Sequence, residues 1–189
     1  RARMSTASML YPFILPVLEA SINWRKDNLA NQYDEDKELI GGSFPAGKNG
    51  PYGDQETHCR NSAHWLIIFT SAWRLTNKTH YKEMALKELD FLLSESPGQG
   101  RPFICREPTH RLVDRTNGVI GQAWIMEGLI YAAEFLGCSS ALREAERLYS
   151  IHKFDNDLKV WRTCNPDGSV GRPDNTFNHQ LWFCSVAMR

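Results

Sequence analysis

The sequence lacks a surplus of either charge. Its 189 residues contain 22 Lys and Arg against 22 Asp and Glu, and no long basic run interrupts this balance. Neutralising the phosphates of a nucleic acid requires a basic surface, so the balance argues against a protein that binds nucleic acid mainly by charge. A local cationic pocket is still compatible with it.

Paired cysteines and long apolar runs are also missing. The five cysteines are scattered, odd in number and form no C-x-x-C pair, so neither a disulfide framework nor a structural zinc site is expected. Free thiols are typical of a reducing compartment, which predicts a cytoplasmic location. No uninterrupted apolar run approaches the roughly 20 residues that cross a bilayer, so we expect a soluble protein without membrane contact. We also expect no metal and no cofactor.

Three tryptophans mark a repeat along the chain. Trp65, Trp124 and Trp182 are 59 and then 58 residues apart, each early in an apolar run that a polar cluster opens. Such a period predicts a repeated structural unit. With 42% hydrophobic residues the chain can bury one substantial core, and we treat residues 1–189 as a single domain.

Two kinds of helix alternate within the repeat. One kind is apolar almost all round, as a buried helix requires, and the other has an apolar stripe with charged residues, among them Glu88, Glu144 and Arg147, directed to solvent. Short turns join each buried helix to an amphipathic partner, which predicts helical hairpins. The expected elements are an opening helix (9–24), buried helices (57–75, 116–136 and from 177), amphipathic helices (79–93 and 139–151) and a small β-hairpin (158–164 with 169–172).

Repeated hairpins of this kind can form two concentric layers, with the buried helices inside and the amphipathic helices outside. We therefore predict an all-α fold, an (α/α) toroid or a partial toroid of about three hairpins, with the small β-hairpin in one loop. The starts of the inner helices would lie at one end, together with the polar clusters. A ligand site is expected at that end.

Three motifs stand at these helix starts: Asp54…His64-Trp65, Asp114…Asn117-Gly118 and Asn178-His179-Gln180-Leu181-Trp182. Over residues 50–189 the chain resembles the six-hairpin glycosidases, which include unsaturated glucuronyl hydrolases and share a looser barrel with sugar epimerases and polysaccharide lyases. A full barrel has six hairpins and this chain supplies about three, so we expect a fragment or a half-barrel completed by another subunit.

Two aspartates are the first catalytic candidates. Asp54 and Asp114 lie 60 residues apart, just ahead of successive inner helices, so the repeat predicts both carboxylates at one rim. Two carboxyl groups in different surroundings can act as acid and base. The resemblance implies that Asp114 is the general acid/base and Asp54 its supporting partner, in a glycoside hydrolase acting on unsaturated, uronic-acid-containing oligosaccharides. Helix capping is the structural alternative for both.

Histidines support a rival interpretation. Sugar epimerases of similar barrel use two histidines to remove and return a proton, which makes His64 and His179 an alternative catalytic pair in an epimerase or a lyase. His179 is the stronger candidate because Asn178 and Gln180 accompany it. A third interpretation is a non-catalytic binding or assembly module whose polar clusters only cap helices.

Further residues at the helix starts are candidates for binding an oligosaccharide substrate. Amides can bond to hydroxyl groups, arginine and a helix N-terminus suit a uronate carboxylate, and aromatic rings can stack on sugar faces. The candidates are Tyr52, His58, His64, Arg115, Asn117, Gln122, Trp124, Asn178 and Gln180.

Overall fold

The computed structural model describes residues 14–24, 55–56, 58–107 and 114–189. Tyr52 and Asp54 lie outside these residues, as does the side chain of His58. The described chain is mostly helical, as predicted. Residues 9–13 of the predicted opening helix lie outside the described residues, and the predicted ends of the later helices agree with the structure within two residues. The helices are α1 (14–24), α2 (His58–Thr76), α3 (Thr79–Ser94), α4 (Gly118–Leu136), α5 (Ser139–Ile151) and α6 (Phe177–Ala187).

The helices pair into hairpins as the alternating pattern predicts. Helix α2 packs against α3, and α4 packs against α5. Each turn contains a residue in the left-handed region, Asn77 at φ +56° and Gly137 at φ +74°, which ends the preceding helix. Helix α4 also contacts α2 and α6, so these three form one layer and the amphipathic helices another. A toroid built from more such hairpins stays a prediction.

Helix α4 lies at the centre of the core. It is buried on most sides, and Gly128 lets it approach α2 closely, because a Cβ there would lie 2.8 Å from the carbonyl oxygen of Ala63. By length and composition α4 is also apolar enough to cross a membrane, which a count of uninterrupted apolar residues does not reveal. More than half of that stretch is buried against other parts of the protein.

The long link between α5 and α6 folds into a three-stranded antiparallel sheet. The predicted hairpin is confirmed as β4 (Val160–Cys164) and β5 (Val170–Pro173), and β3 (Phe154–Asp155) pairs with the other side of β4. At its turn the amide of Gly168, at φ +90°, donates to the carbonyl of Asn165 at 2.8 Å. This hairpin stands beside the start of α6.

A second, two-stranded sheet was not predicted. β1 (Gln55–Glu56) pairs antiparallel with β2 (Arg106–Glu107). Strands of two residues are too short to show an alternating pattern of polar and apolar side chains. The pairing connects the segment ahead of α2 to the segment ahead of α4.

Two charged side chains predicted to face solvent, Glu88 and Glu144, are buried, and the third, Arg147, is half-buried. Glu88 is buried and accepts a hydrogen bond from the hydroxyl of Ser62 on α2. Glu144 is also buried: Arg147 donates to its two oxygens at 2.6 and 2.8 Å, and Ser96 donates at 2.7 Å. A charged group can be buried when ion pairs and hydrogen bonds satisfy it, and a periodicity argument does not count such partners.

Candidate functional site

Asp114 forms the turn that starts α4. Its Oδ1 accepts from the backbone amide and the hydroxyl of Thr116, at 2.9 and 2.8 Å, and its Oδ2 accepts from the amide of Gly118 at 3.0 Å. The carboxylate is half-buried. A carboxylate has about four lone-pair sites, so these three bonds leave room for one more partner. The structure thus gives Asp114 the helix-start role that was the alternative to catalysis.

Asp174 is a site residue that the sequence reasoning missed. It stands 60 residues after Asp114 and forms the same local turn, its Oδ1 accepting from the amide of Thr176 at 3.1 Å. Its Oδ2 bonds across to the neighbouring helix, accepting from the amide of Val119 at 3.1 Å. Continuing the spacing from Asp54 to Asp114 by one more period would have found it.

Asp174 and His179 form a hydrogen-bonded dyad at the start of α6. The Nδ1 of His179 lies 3.1 and 3.0 Å from the two carboxylate oxygens. A carboxylate accepts, so we assign the proton of the neutral ring to Nδ1, which leaves Nε2 as a proton acceptor. The Asp174 side chain is 7% exposed and that of His179 is 27% exposed. A buried carboxylate thus orients a partly accessible imidazole.

Gly118 is where these groups meet. Its amide donates to Asp114, and a Cβ built on it would lie 2.5 Å from Oδ2 of Asp174 and 3.7 Å from Nδ1 of His179. Its φ of +62° is a left-handed conformation that glycine adopts readily. The absence of a side chain therefore lets the dyad approach the start of α4, where Asp114 also bonds to the backbone.

Gln122 and Gln180 each hold the backbone of a preceding loop. Gln122 accepts from the amide of Phe103 and donates to its carbonyl, both at 2.9 Å, and Gln180 does the same with Trp161 at 2.7 and 3.0 Å. Each Nε2 also donates to a carbonyl just ahead of its own helix, that of Thr116 or of Asp174. Gln122 is fully buried, so its amide serves the fold and not a sugar.

Trp124 lies at the centre of an aromatic and charged cluster. His64 meets it edge-on at 5.5 Å, the guanidinium of Arg60 lies 4.7 Å from its ring centre, and Trp182 lies 6.4 Å away, also edge-on. The indole N–H of Trp182 donates to Glu127 at 3.1 Å. Burial, reinforced by the charge of Arg60, lowers the pKa of His64, so its ring is neutral near pH 7. Among the described contacts, His64 is partnered by Trp124, and none joins it to His179.

An open cleft of about 560 Å³ lies between the start of α4 and the β4–β5 hairpin. Asp114 and Arg115 line one side, and Thr163, Asn165 and Arg172 line the other. Arg115 and Arg172 are exposed. Arg115 lies beside Asp114 in this cleft, and the sheet that also lines it could not be assigned to this place from sequence.

The remaining candidates have less defined surroundings. Asn117 precedes α4 in the left-handed conformation, at φ +58°, and its side chain makes no capping bond. Asn178 is exposed. Within the described residues no group of three His, Cys, Asp or Glu side chains converges as metal ligands. Burial raises the pKa of the Cys105 thiol far above its usual range, which makes it a poor nucleophile.

Comparisons with known proteins give one informative similarity. No family model matches the chain, and no solved structure matches it. It is similar to archaeal glycosylation protein Q of Haloferax volcanii, with 41% identity over 145 residues. The match covers 76% of this chain and 38% of that protein, so the chain spans well under half the length of this relative. The name of this relative relates it to glycosylation.

Proposed function

We propose that this chain is part of a carbohydrate-active enzyme that serves glycosylation and acts on sugars containing a uronic acid. The similarity to a glycosylation protein supports the carbohydrate theme. The paired helices and the polar residues at their starts support a relationship to the six-hairpin glycosidases, with a toroid completed by a further segment or another subunit. Proton transfer is the chemistry that the described residues suit best.

The observation that carries this proposal is the dyad of Asp174 and His179. Nε2 of His179 would accept the proton from the carbon next to the uronate carboxylate, and Asp174 would stabilise the imidazolium that forms. In an epimerase, a second acid group would then deliver a proton to the opposite face of that carbon and invert it. In a lyase, the electron pair left on that carbon would form a double bond to the neighbouring carbon as its bond to the glycosidic oxygen breaks, and the His179 imidazolium would give its proton to the departing oxygen. Asp174 acts here as a positioning residue.

Hydrolysis through Asp114 is the second candidate. The supporting observation is that Asp114 lines the open cleft beside Arg115, where it can reach a bound sugar. It would act as the general acid/base toward an unsaturated uronic oligosaccharide, with Asp54 as its supporting partner. Against it, the three hydrogen bonds that Asp114 accepts hold its carboxylate to the turn.

A non-catalytic helical-repeat module is the third possibility. It would explain the glutamine and aspartate bonds as structural supports, since repeat architecture serves binding proteins as readily as enzymes. The convergence of Asp114, Asp174 and His179 on Gly118 favours an enzyme. Pure capping does not call for a partly accessible histidine bonded to a buried carboxylate.

The experiment compares His179→Asn and Asp114→Asn with His80→Asn, a control at an exposed histidine of α3. Each purified protein is incubated with uronic oligosaccharides in heavy water, and deuterium incorporation, double bonds and new reducing ends are measured. We expect H179N to abolish deuterium incorporation, and D114N to retain most of it. If D114N alone failed to form new reducing ends, the activity would be a hydrolysis that depends on Asp114. Activities equal to that of H80N in both variants would refute a catalytic site.

A further inference from the structure

Two arginines from separate parts of the chain face the same cleft. Arg115 belongs to the turn ahead of α4, whereas Arg172 belongs to β5, and both line the cleft and are exposed. A guanidinium group can donate two parallel hydrogen bonds to two oxygens of a carboxylate or a phosphate. Two such residues that line one cleft suit the binding of one anionic group.

The backbone fixes the position of each arginine. The carbonyl of Arg115 accepts from the amides of Cys105 and Arg106, at 2.9 and 3.0 Å. The carbonyl of Arg172 accepts from the hydroxyl of Thr163 at 3.3 Å, within the paired strands β4 and β5. Gly171 keeps the strands close, because a Cβ there would overlap the Thr163 hydroxyl. The walls are therefore set before a ligand arrives, which lowers the entropy cost of binding.

Asp114, the acidic residue among the described residues that line the cleft, repels a bound anion only weakly. Asp114 directs both oxygens to donors of its own turn, the amide and hydroxyl of Thr116 and the amide of Gly118. Its negative charge is thus spread over a helix start. The formal charge of Asp114, Arg115 and Arg172 together is positive.

We propose that this cleft, lined by Asp114, Arg115, Thr163, Asn165 and Arg172, binds the anionic group of an acidic sugar. That group is either the carboxylate of a uronic acid or a phosphate, since both offer the oxygens that paired guanidinium groups bind. We name a sugar as the ligand because this proposal rests on the proposed function. Anion binding itself requires no catalysis.

The test is titration calorimetry of the chain with four probes: a uronic acid disaccharide, its methyl ester, a disaccharide phosphate and the neutral disaccharide. We expect one of the two anions to bind at least tenfold tighter than its neutral counterpart. Arg172→Gln or Arg115→Gln should remove about tenfold of that affinity, the value of one charge-assisted interaction. The matched control is Arg143→Gln, at an exposed position on α5, which should change nothing.

The four probes also separate the two sources of the anion. Preference for the acid over its ester identifies a carboxylate, and preference for the phosphate over the neutral sugar identifies a phosphate. Equal affinity for charged and neutral probes would overturn the proposal, and so would an R172Q protein indistinguishable from R143Q.

A variant outside the cleft distinguishes this proposal from the proposed function. His179→Asn should abolish turnover and keep the anion affinity within about twofold. An active H179N protein whose anion binding still depends on Arg172 would refute the dyad chemistry and support the cleft. An inactive H179N protein that binds charged and neutral probes equally would support the dyad chemistry and refute anion binding in the cleft.

Discussion

Replacing Gly118 by alanine tests how closely the dyad and α4 are packed. The left-handed backbone at φ +62° costs a residue with a Cβ about 1–2 kcal/mol. The new Cβ would also lie 2.5 Å from Oδ2 of Asp174, so that carboxylate must move away from the amide of Val119. Losing a hydrogen bond to a charged group costs about 1.5–3 kcal/mol. The free energy of unfolding should therefore fall by about 3–5 kcal/mol.

Gly137→Ala is the control for the backbone cost alone. Gly137 adopts φ +74°, and no atom lies within 4 Å of a Cβ built there, so we expect a loss of only about 1–2 kcal/mol. Urea unfolding followed by circular dichroism would measure both variants, with the dependence on urea checked for each. If the two substitutions were equally destabilising, the close approach of Asp174 to Gly118 would be refuted.

Three further predictions concern the core. Burial lowers the pKa of His152, so this side chain stays neutral in the folded protein and takes up a proton near pH 6.5 in the unfolded chain. The free energy of unfolding should therefore fall as the pH drops from about 7 to 5. Urea titrations of His152→Gln should show a weaker dependence on pH. Gln122→Leu leaves the buried amide and carbonyl of Phe103 without these partners, which should lower the free energy of unfolding by about 2–4 kcal/mol. An unchanged urea midpoint would contradict this prediction. Gly128→Ala forces α4 away from Ala63, and thermal unfolding should show a loss of about 1–3 kcal/mol, whereas unchanged stability would disprove the close contact.

Most of the helical fold could be predicted from the sequence because apolar periodicity is a local property. The stretch 139–151 matches α5 residue for residue, and the turn around Gly168 forms the hairpin predicted for it. The strand pair β1–β2 could not be predicted, since its two-residue strands have no period. Glu144 was misjudged because periodicity does not count the partners that satisfy a buried charge, here Arg147 on the same helix and Ser96, which lies 48 residues away.

The candidate site could be predicted in part. The repeat predicted polar side chains at the helix starts, and both Asp114 and His179 lie near Gly118 at the start of α4. Asp174 was not identified because the repeat was measured between tryptophans, and the third motif, Asn178-His179-Gln180-Leu181-Trp182, begins four residues after it. The role of Gln122 escaped for another reason: its partner is the backbone of Phe103, and a bond to backbone leaves no signature in the partner's side chain.

The paired glutamine contacts leave the loops free to vary in sequence. Gln122 and Gln180 hold Phe103 and Trp161 through amide and carbonyl groups, which every residue except proline can offer. Side chains in these loops can therefore change without loosening the attachment. A protein with such attachments can acquire new specificity at its rim by loop substitution alone, while the helices beneath keep their register.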